Sequence, residues 1–200
     1  MKLNAAERLL VNNPARAMVQ RHYEVPLLRR LGGRVDGGHV LELGCGRGVG
    51  VELILRQFGA RRVTAIDLDP AMVEAARRRL TWCLPSELEL GVGDATDLTA
   101  GDGTYDAVFD FGIIHHVPVW QDAVKEVARV LKPGGRFFFE EITQHALERW
   151  SFRKFLDHPT ENRFSAEGFV QALEDAWIRV GDNYVVRGWD DLFIGVGRRA

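Results

Sequence analysis

One junction constrains this chain more than any other: the largely apolar run His39–Leu43 ends abruptly in Gly44-Cys45-Gly46-Arg47-Gly48. A short apolar run bounded by a glycine cluster suits a strand buried on both faces. Directly afterwards Val51, Ile54, Leu55 and Phe58 recur at i, i+3, i+4 and i+7, one face of a helix. Strand, tight turn and helix then repeat down the chain. Arg62–Ile66 predicts a second strand, and Asp69-Pro70 supplies an N-cap with proline in the first helical position, opening a helix to about Leu80. Leu88–Val92 and Asp106–Phe111 read as the third and fourth strands. Trp120, Val124, Val127 and Leu131 mark another helix face, Pro133-Gly134-Gly135 stops it, and Arg136–Glu141 is the fifth strand. Such alternation means a mostly parallel sheet covered by helices on both faces.

The C-terminal part breaks the rhythm. Ser165 caps a helix carrying Phe169, Val170, Leu173 and Ala176, and two strand-like runs follow, Ile178–Val186 and Leu192–Val196. The few residues between those runs are too short for a parallel crossover, so an antiparallel hairpin is expected. The expected sheet has seven strands, the last joined antiparallel. Residues 1–35 read as a helical cap in which Pro26 kinks or restarts the helix, and residues 36–200 form the ligand-binding domain. Residues 142–164, rich in aromatics (Trp150, Phe152, Phe155, Phe164), are expected to cover the site.

Composition removes several function classes. With 26 Lys+Arg against 28 Asp+Glu, the net charge near −2 gives no overall basic field for nucleic acid. Two cysteines, Cys45 and Cys83, make no disulfide framework and read as reduced thiols. No apolar run approaches the roughly 18–20 residues of a membrane span, and Met1–Arg8 lacks the apolar centre of a signal peptide. A cytoplasmic protein without membrane insertion is expected, either monomer or homodimer.

Three acids mark the ends of three successive strands: Glu42 beside the glycine turn, Asp67 after the second strand, and Asp94 in Gly93-Asp94-Ala95 after the third. Ligands on such sheets bind outside the carboxyl ends of the strands. An acid roughly 20 residues past the glycine turn suits a ribose diol, because a carboxylate accepts from two hydroxyls. Asp94 could accept from an exocyclic adenine amine. The dinucleotide fingerprint places its third glycine at the sixth position, where Val49 stands, and Glu42 would repel a pyrophosphate. A cofactor with a sulfonium, an ammonium and a ribose, and no phosphate, tolerates these acids. S-adenosylmethionine has that composition.

At this point the residues resemble the class I S-adenosylmethionine-dependent methyltransferases, especially their small-molecule (type 11-like) branch. The resemblance rests on Val40-Leu41-Glu42-Leu43-Gly44-Cys45-Gly46-Arg47-Gly48, Ala65-Ile66-Asp67-Leu68-Asp69-Pro70, Gly93-Asp94-Ala95, Tyr105–Phe109 with Ile114-His115-His116-Val117, and Val130–Gly135, in family order across roughly residues 38–142. It implies a Rossmann-like, doubly wound α/β fold and methyl transfer from S-adenosylmethionine to a small acceptor. It further implies that Glu42, Gly44, Cys45 and Gly46 lie along the methionine moiety, that Asp67 binds the ribose, and that Leu68, Asp94 and Ala95 meet the adenine. Phe111 would offer its carbonyl to the methionine ammonium, although the family often has a polar residue there. The strand end Phe109-Asp110-Phe111-Gly112 lacks the Asn/Asp-Pro-Pro-aromatic motif of base-amino methyltransferases, which argues against a nucleic-acid substrate.

No catalytic residue is assigned; His115 and His116 are candidates for a general base, and Glu140, ending the fifth strand, is a further candidate through direct contact with substrate. Adjacent histidines point in different directions and make a poor pair of metal ligands, so no metal is expected. Tyr23, His116, Glu141 and Phe155 are candidate acceptor contacts, and Arg77-Arg78-Arg79 reads as a solvated helix face. The chain length leaves little room for an added recognition domain, which favours a small acceptor. Two rivals share the layout: an NAD(P)-binding oxidoreductase, and a non-catalytic S-adenosylmethionine-binding subunit.

Overall fold

In the computed structural model, residues 13–148 and 161–200 are described. The chain enters through helix α1 (Pro14–Val19), capped by Asn13, whose side chain accepts from the Ala15 N–H at 2.9 Å. It passes through a π-helical turn, Gln20–Glu24, into α2 (Val25–Gly32). The wide turn stands just before Pro26, which has no N–H to close a regular helical bond. The helix therefore widens and continues where the sequence allowed a kink or a restart. The part of the expected cap in residues 1–12 lies outside the described residues.

The core alternates as expected: β1 (His39–Leu43), α3 (Val49–Leu53) extended by a wide turn to Phe58, β2 (Arg62–Asp67), α4 (Pro70–Arg79), β3 (Leu88–Val92), β4 (Tyr105–Phe111), α5 (Trp120–Val130) and β5 (Leu131–Ile142). A short helix α6 (Gln144–Glu148) follows, and after the undescribed stretch come α7 (Ala166–Asp175), β6 (Ile178–Arg179), β7 (Tyr184–Arg187) and β8 (Leu192–Arg199). The predicted caps form: Asp69 accepts from Ala71 N–H at 3.0 Å, and Ser165 from Gly168 N–H at 3.1 Å.

The sheet order is β3-β2-β1-β4-β5-β8-β6, with β7 also on β8. The first five strands pair in parallel and β8 runs antiparallel. Among the described residues eight strands replace the seven expected, because the run Ile178–Val186 is split by a turn at Gly181, φ +54°. Both pieces lie along the same edge of β8.

Each sheet face carries its own core. On one side Phe58, Phe109 and Phe138 meet, with Phe109 and Phe138 stacked at 4.4 Å between ring centroids. On the other, Phe137 and Phe139 join Trp120, Phe164, Phe169 and Phe193. Full burial of each such ring contributes roughly 1.5–3 kcal/mol. The alternation of 137, 138 and 139 between the two cores follows the two-residue period of a strand. No helix among the described residues is long and apolar enough to cross a membrane.

Candidate active site

Two clefts open at the carboxyl ends of the parallel strands and meet at Gly44. Gly44 has φ +63°, and a Cβ there would lie 2.3 Å from the Ile113 Cγ2, so only glycine lets the first turn pass under the loop after β4.

The first cleft, about 340 Å³, is lined by Asp67, Leu68, Asp94, Ala95 and His116 among others. Asp67 already works within the protein: its Oδ2 accepts from Gly46 N–H at 2.8 Å and its Oδ1 from Asp69 N–H at 2.9 Å. The acid thus fixes the glycine turn against the end of β2. The Asp94 Oδ1 accepts from Thr96 N–H at 2.9 Å and from its hydroxyl at 2.8 Å, which holds the turn after β3.

The second cleft, about 330 Å³, lies between the glycine turn and the N-terminal helix; Glu42, Cys45, Gly46 and Phe111 line it. Glu42 is 2% exposed and its Oε2 has no hydrogen-bond partner among the described residues. Burial, and then the Asp67 charge, hold its carboxyl well above the usual range. A buried, unsatisfied carboxyl bordering a cleft suits a cationic ligand group and repels a phosphate. The residues present therefore fit the ammonium-bearing end of S-adenosylmethionine. Burial pushes the Cys45 thiol up, which disfavours its thiolate form. Phe111 turns its ring onto Phe109, at 5.8 Å, and against Gly50, forming a wall of this cleft.

The other sequence candidates separate. Glu141 is fully buried and lines neither cleft. It accepts from Ile114 N–H at 2.6 Å and meets His115 Nδ1 at 2.5 Å, with Asp110 alongside. Its position corrects the reading of Glu141 as an acceptor contact: it anchors the 114–116 turn from below. His115 is drawn inward with it, while His116 faces the first cleft. Burial, and then Glu141, hold Asp110 well above its usual range, and burial pushes Glu141 up to about 7. Glu140 points to the opposite face and accepts from Arg16 at 2.6 Å. Arg16 also grips Glu24 through both carboxylate oxygens, at 2.8 and 2.6 Å. Burial and Glu140 push Glu24 up to about 8. Tyr23 lies outside both clefts, its hydroxyl accepting from Arg187 Nε at 3.0 Å. Phe155, Trp150 and Phe152 fall outside the described residues.

Sequence reasoning placed Arg21 of the N-terminal helix beside the acceptor pocket but missed Arg79, which lines the second cleft with it. Arg79 differs from its solvated neighbours: Arg77 and Arg78 pair with Glu74, whereas Arg79 donates to Glu52 at 2.8 Å and lines the cleft. Glu52, on the buried side of α3, was the available signal. Among the described residues no group of three or more His, Cys, Asp or Glu is arranged to hold a metal.

Residues 40–135 match the family described as methyltransferase domain. Among curated proteins, the chain is 35% identical over 128 residues to a fatty-acid O-methyltransferase of Mycolicibacterium smegmatis, covering 64% of this chain and 45% of that one. It is 30% identical over 131 residues to the phthiotriol/phenolphthiotriol dimycocerosates methyltransferase of Mycobacterium tuberculosis, covering 66% and 46%. The chain thus spans less than half the length of these curated relatives. A solved S-adenosylmethionine-dependent methyltransferase from Aquifex aeolicus superposes with a TM-score of 0.77 at 21% identity, over 100% of both chains, and shares the fold. The family match and the shared fold agree with the resemblance read from the sequence. Over residues 40–135 this chain is thus similar to methyltransferase domains, and it shares the fold of an S-adenosylmethionine-dependent methyltransferase.

Proposed function

We propose that this chain methylates a small-molecule acceptor, with S-adenosylmethionine held across the two clefts. The observation that carries the reading is the convergence of Glu42, Asp67 and Asp94 on three neighbouring strand ends around clefts that meet at Gly44. When bound, the cofactor supplies a methyl group already activated on sulfonium, and the transfer is an in-line displacement. The chain's own work is then placement and exclusion of water. In this reading Asp67 accepts from the ribose hydroxyls, while Asp94, Ala95 and Leu68 meet the adenine. Glu42 pairs with the ammonium, and Phe111 walls the methionine end.

A general base is needed only for an acceptor that keeps its proton at working pH. Of the three candidates His116 is the one lining a cleft; His115 is engaged by Glu141 and Glu140 by Arg16. The name of the first curated relative, a fatty-acid O-methyltransferase, supports fatty acids as the first acceptors to test. Residues 1–35 as a cap, 142–164 as an acceptor cover, and a reducing cytoplasmic setting, consistent with unpaired Cys45 and Cys83, belong to the same proposal.

Calorimetric titration with S-adenosylhomocysteine and NADPH, followed by a turnover assay on a fatty-acid panel, tests it. Saturable binding of the first ligand and its release during turnover are expected. Preference for NADPH would overturn the cofactor assignment. Tight binding with no turnover on any acceptor would favour a non-catalytic subunit.

A further inference from the structure

Arg21, in the wide turn of the N-terminal helix, and Arg79, at the end of α4, come from segments far apart in sequence, yet both line the second cleft. They are gathered by one acid. Arg21 Nη2 donates to Glu52 Oε1 at 2.8 Å, and Arg79 Nη2 donates to Glu52 Oε2 at 2.8 Å. Two guanidinium groups on the two oxygens of one carboxylate must lie side by side. Arg56 adds a third positive charge at 3.8 Å from Oε1. Burial alone would raise the Glu52 carboxyl, but hydrogen bonds from Arg79 and Arg21 hold it below its usual value, so it stays charged. One negative charge against the two arginines that line the cleft already leaves an excess of cation there, without Arg56. Each guanidinium has five N–H donors in a fixed fork, and Glu52 takes only one from each of Arg21 and Arg79.

Arg56 provides an internal contrast. It shares Glu52 but lies over the Trp82 ring at 4.4 Å and does not line the cleft. A second, independent observation concerns Glu42, which lines the same cleft as a buried carboxyl with an unpartnered oxygen. One cleft therefore presents an acid able to meet an ammonium and paired arginines able to meet a carboxylate. That is the charge pattern of an α-amino acid.

We propose that Arg21 and Arg79, aligned by Glu52, form a carboxylate clamp in the second cleft that takes the carboxylate of the cofactor's amino-acid end. The inference rests on the S-adenosylmethionine reading above and adds two residues to it, one of them on the N-terminal helix. Docking of that helix and occupancy of the cleft are then linked, because Arg21 reaches the ligand only while its helix lies over the glycine turn. A carboxylate could also come from an acceptor such as a fatty acid. Glu42 in the same cleft favours the amino-acid source, and the experiment separates the two.

The test measures binding, not turnover. Dissociation constants for S-adenosylmethionine and for its decarboxylated analogue, which keeps the sulfonium, ammonium and adenosine, are compared in the wild type and in Arg21→Met, Arg79→Met, Arg21→Lys and Arg56→Met. The wild type should prefer the carboxylated ligand by about tenfold or more, a ratio that shrinks with added salt because both arginines are partly exposed. Arg21→Met and Arg79→Met should each weaken S-adenosylmethionine by about tenfold while leaving the decarboxylated analogue within about twofold. Arg21→Lys should recover part of the loss, and Arg56→Met should change neither constant. Equal weakening of both ligands, or no wild-type preference, overturns the clamp while the cofactor reading stands. A loss seen only in titrations with a free fatty acid assigns the pair to the acceptor and overturns the cofactor source. Failure of the wild type to bind either ligand overturns both readings. The wild-type ratio needs no variant, so a misfolded Arg79→Met leaves the proposal open to refutation.

Discussion

Replacing Glu141 by glutamine isolates the energetics of the buried acid cluster beneath the 114–116 turn. Glu141 is fully buried, accepts from Ile114 N–H at 2.6 Å and from Ile142 N–H at 3.2 Å, and meets His115 Nδ1 at 2.5 Å. Burial outweighs these donors and raises its carboxyl from the usual 4.5 to about 7. The folded state therefore holds a proton that the unfolded chain releases, and stability falls as pH rises between those two values. At 1.36 kcal/mol per pKa unit, that loss is about 3 kcal/mol across the window. Below about 4.5 the contribution is fully present, and above about 7 it is gone. Glutamine cannot titrate, so the variant lacks this slope. It also turns an amide donor toward groups that donate, a mismatch of about 1–3 kcal/mol at every pH. Urea unfolding of both proteins at pH 4.5, 5.5, 6.5 and 7.5 should show the glutamine variant less stable at the acid end by the mismatch of about 1–3 kcal/mol. The gap should narrow by about 3 kcal/mol toward neutrality, closing or reversing. Glu24 and Glu42, raised acids outside this cluster, are common to both proteins and cancel in the difference, whereas Asp110, raised in part by Glu141 itself, relaxes in the variant and adds to the narrowing. Parallel curves, or a gap that widens with pH, would refute the reasoning.

Three further perturbations follow from the site. Asp67→Ala removes the acceptor of Gly46 and Asp69 N–H groups, and S-adenosylhomocysteine affinity should drop by ~1.5–3 kcal/mol in calorimetry; unchanged affinity would contradict the role given to Asp67. Gly44→Ala forces a side chain into the left-handed region at ~1–2 kcal/mol and against Ile113 at about 1–3 kcal/mol more. Chemical denaturation showing a loss under about 1 kcal/mol would argue against that contact. Arg16→Met leaves Glu24 and Glu140 without their shared cation; with Arg16 partly exposed, about 1–3 kcal/mol is expected. Amide exchange over residues 14–32 should speed up, and the effect should fade as pH falls and Glu24 takes up its proton.

The sheet was legible because its signals are local. Apolar runs, the Asp69 and Ser165 caps and the glycine turn each act within a few residues, and each forms where the sequence puts it. The break in Ile178–Val186 was not, since a strand run with Gly181 inside it can bulge, continue or turn. The strand-end acids were legible as a set through topology alone. Which side chains they meet depends on helix docking, and Arg16, Arg21 and Arg79 reach Glu140, Glu24 and Glu52 through placements no periodicity encodes. Asp110 did carry a signal: a charged residue between Phe109 and Phe111 in a central strand has to find a proton or a partner.

Adjacent residues at the strand ends take opposite roles because a strand alternates its side chains. In the observed register Glu42 lies opposite Phe109, Leu43 opposite Asp110, and Phe111 opposite Glu140. Glu42, Phe111 and Glu140 therefore share the face covered by the N-terminal helix. Leu43, Asp110 and Glu141 share the face of α5 and α7, where the two acids are sealed under the 114–116 turn. A single residue of slip in β5 would exchange Glu140 with Glu141. Arg16 would then lose one of its acids, and the turn bearing His116 would lose its anchor. The aromatic triplet Phe137, Phe138 and Phe139 prevents this slip, since each ring is fully buried in the core of its own face and a shift by one would move every ring to the wrong side. The packing of three phenylalanines thus decides which of two neighbouring glutamates latches the N-terminal helix and which supports the wall of the first cleft.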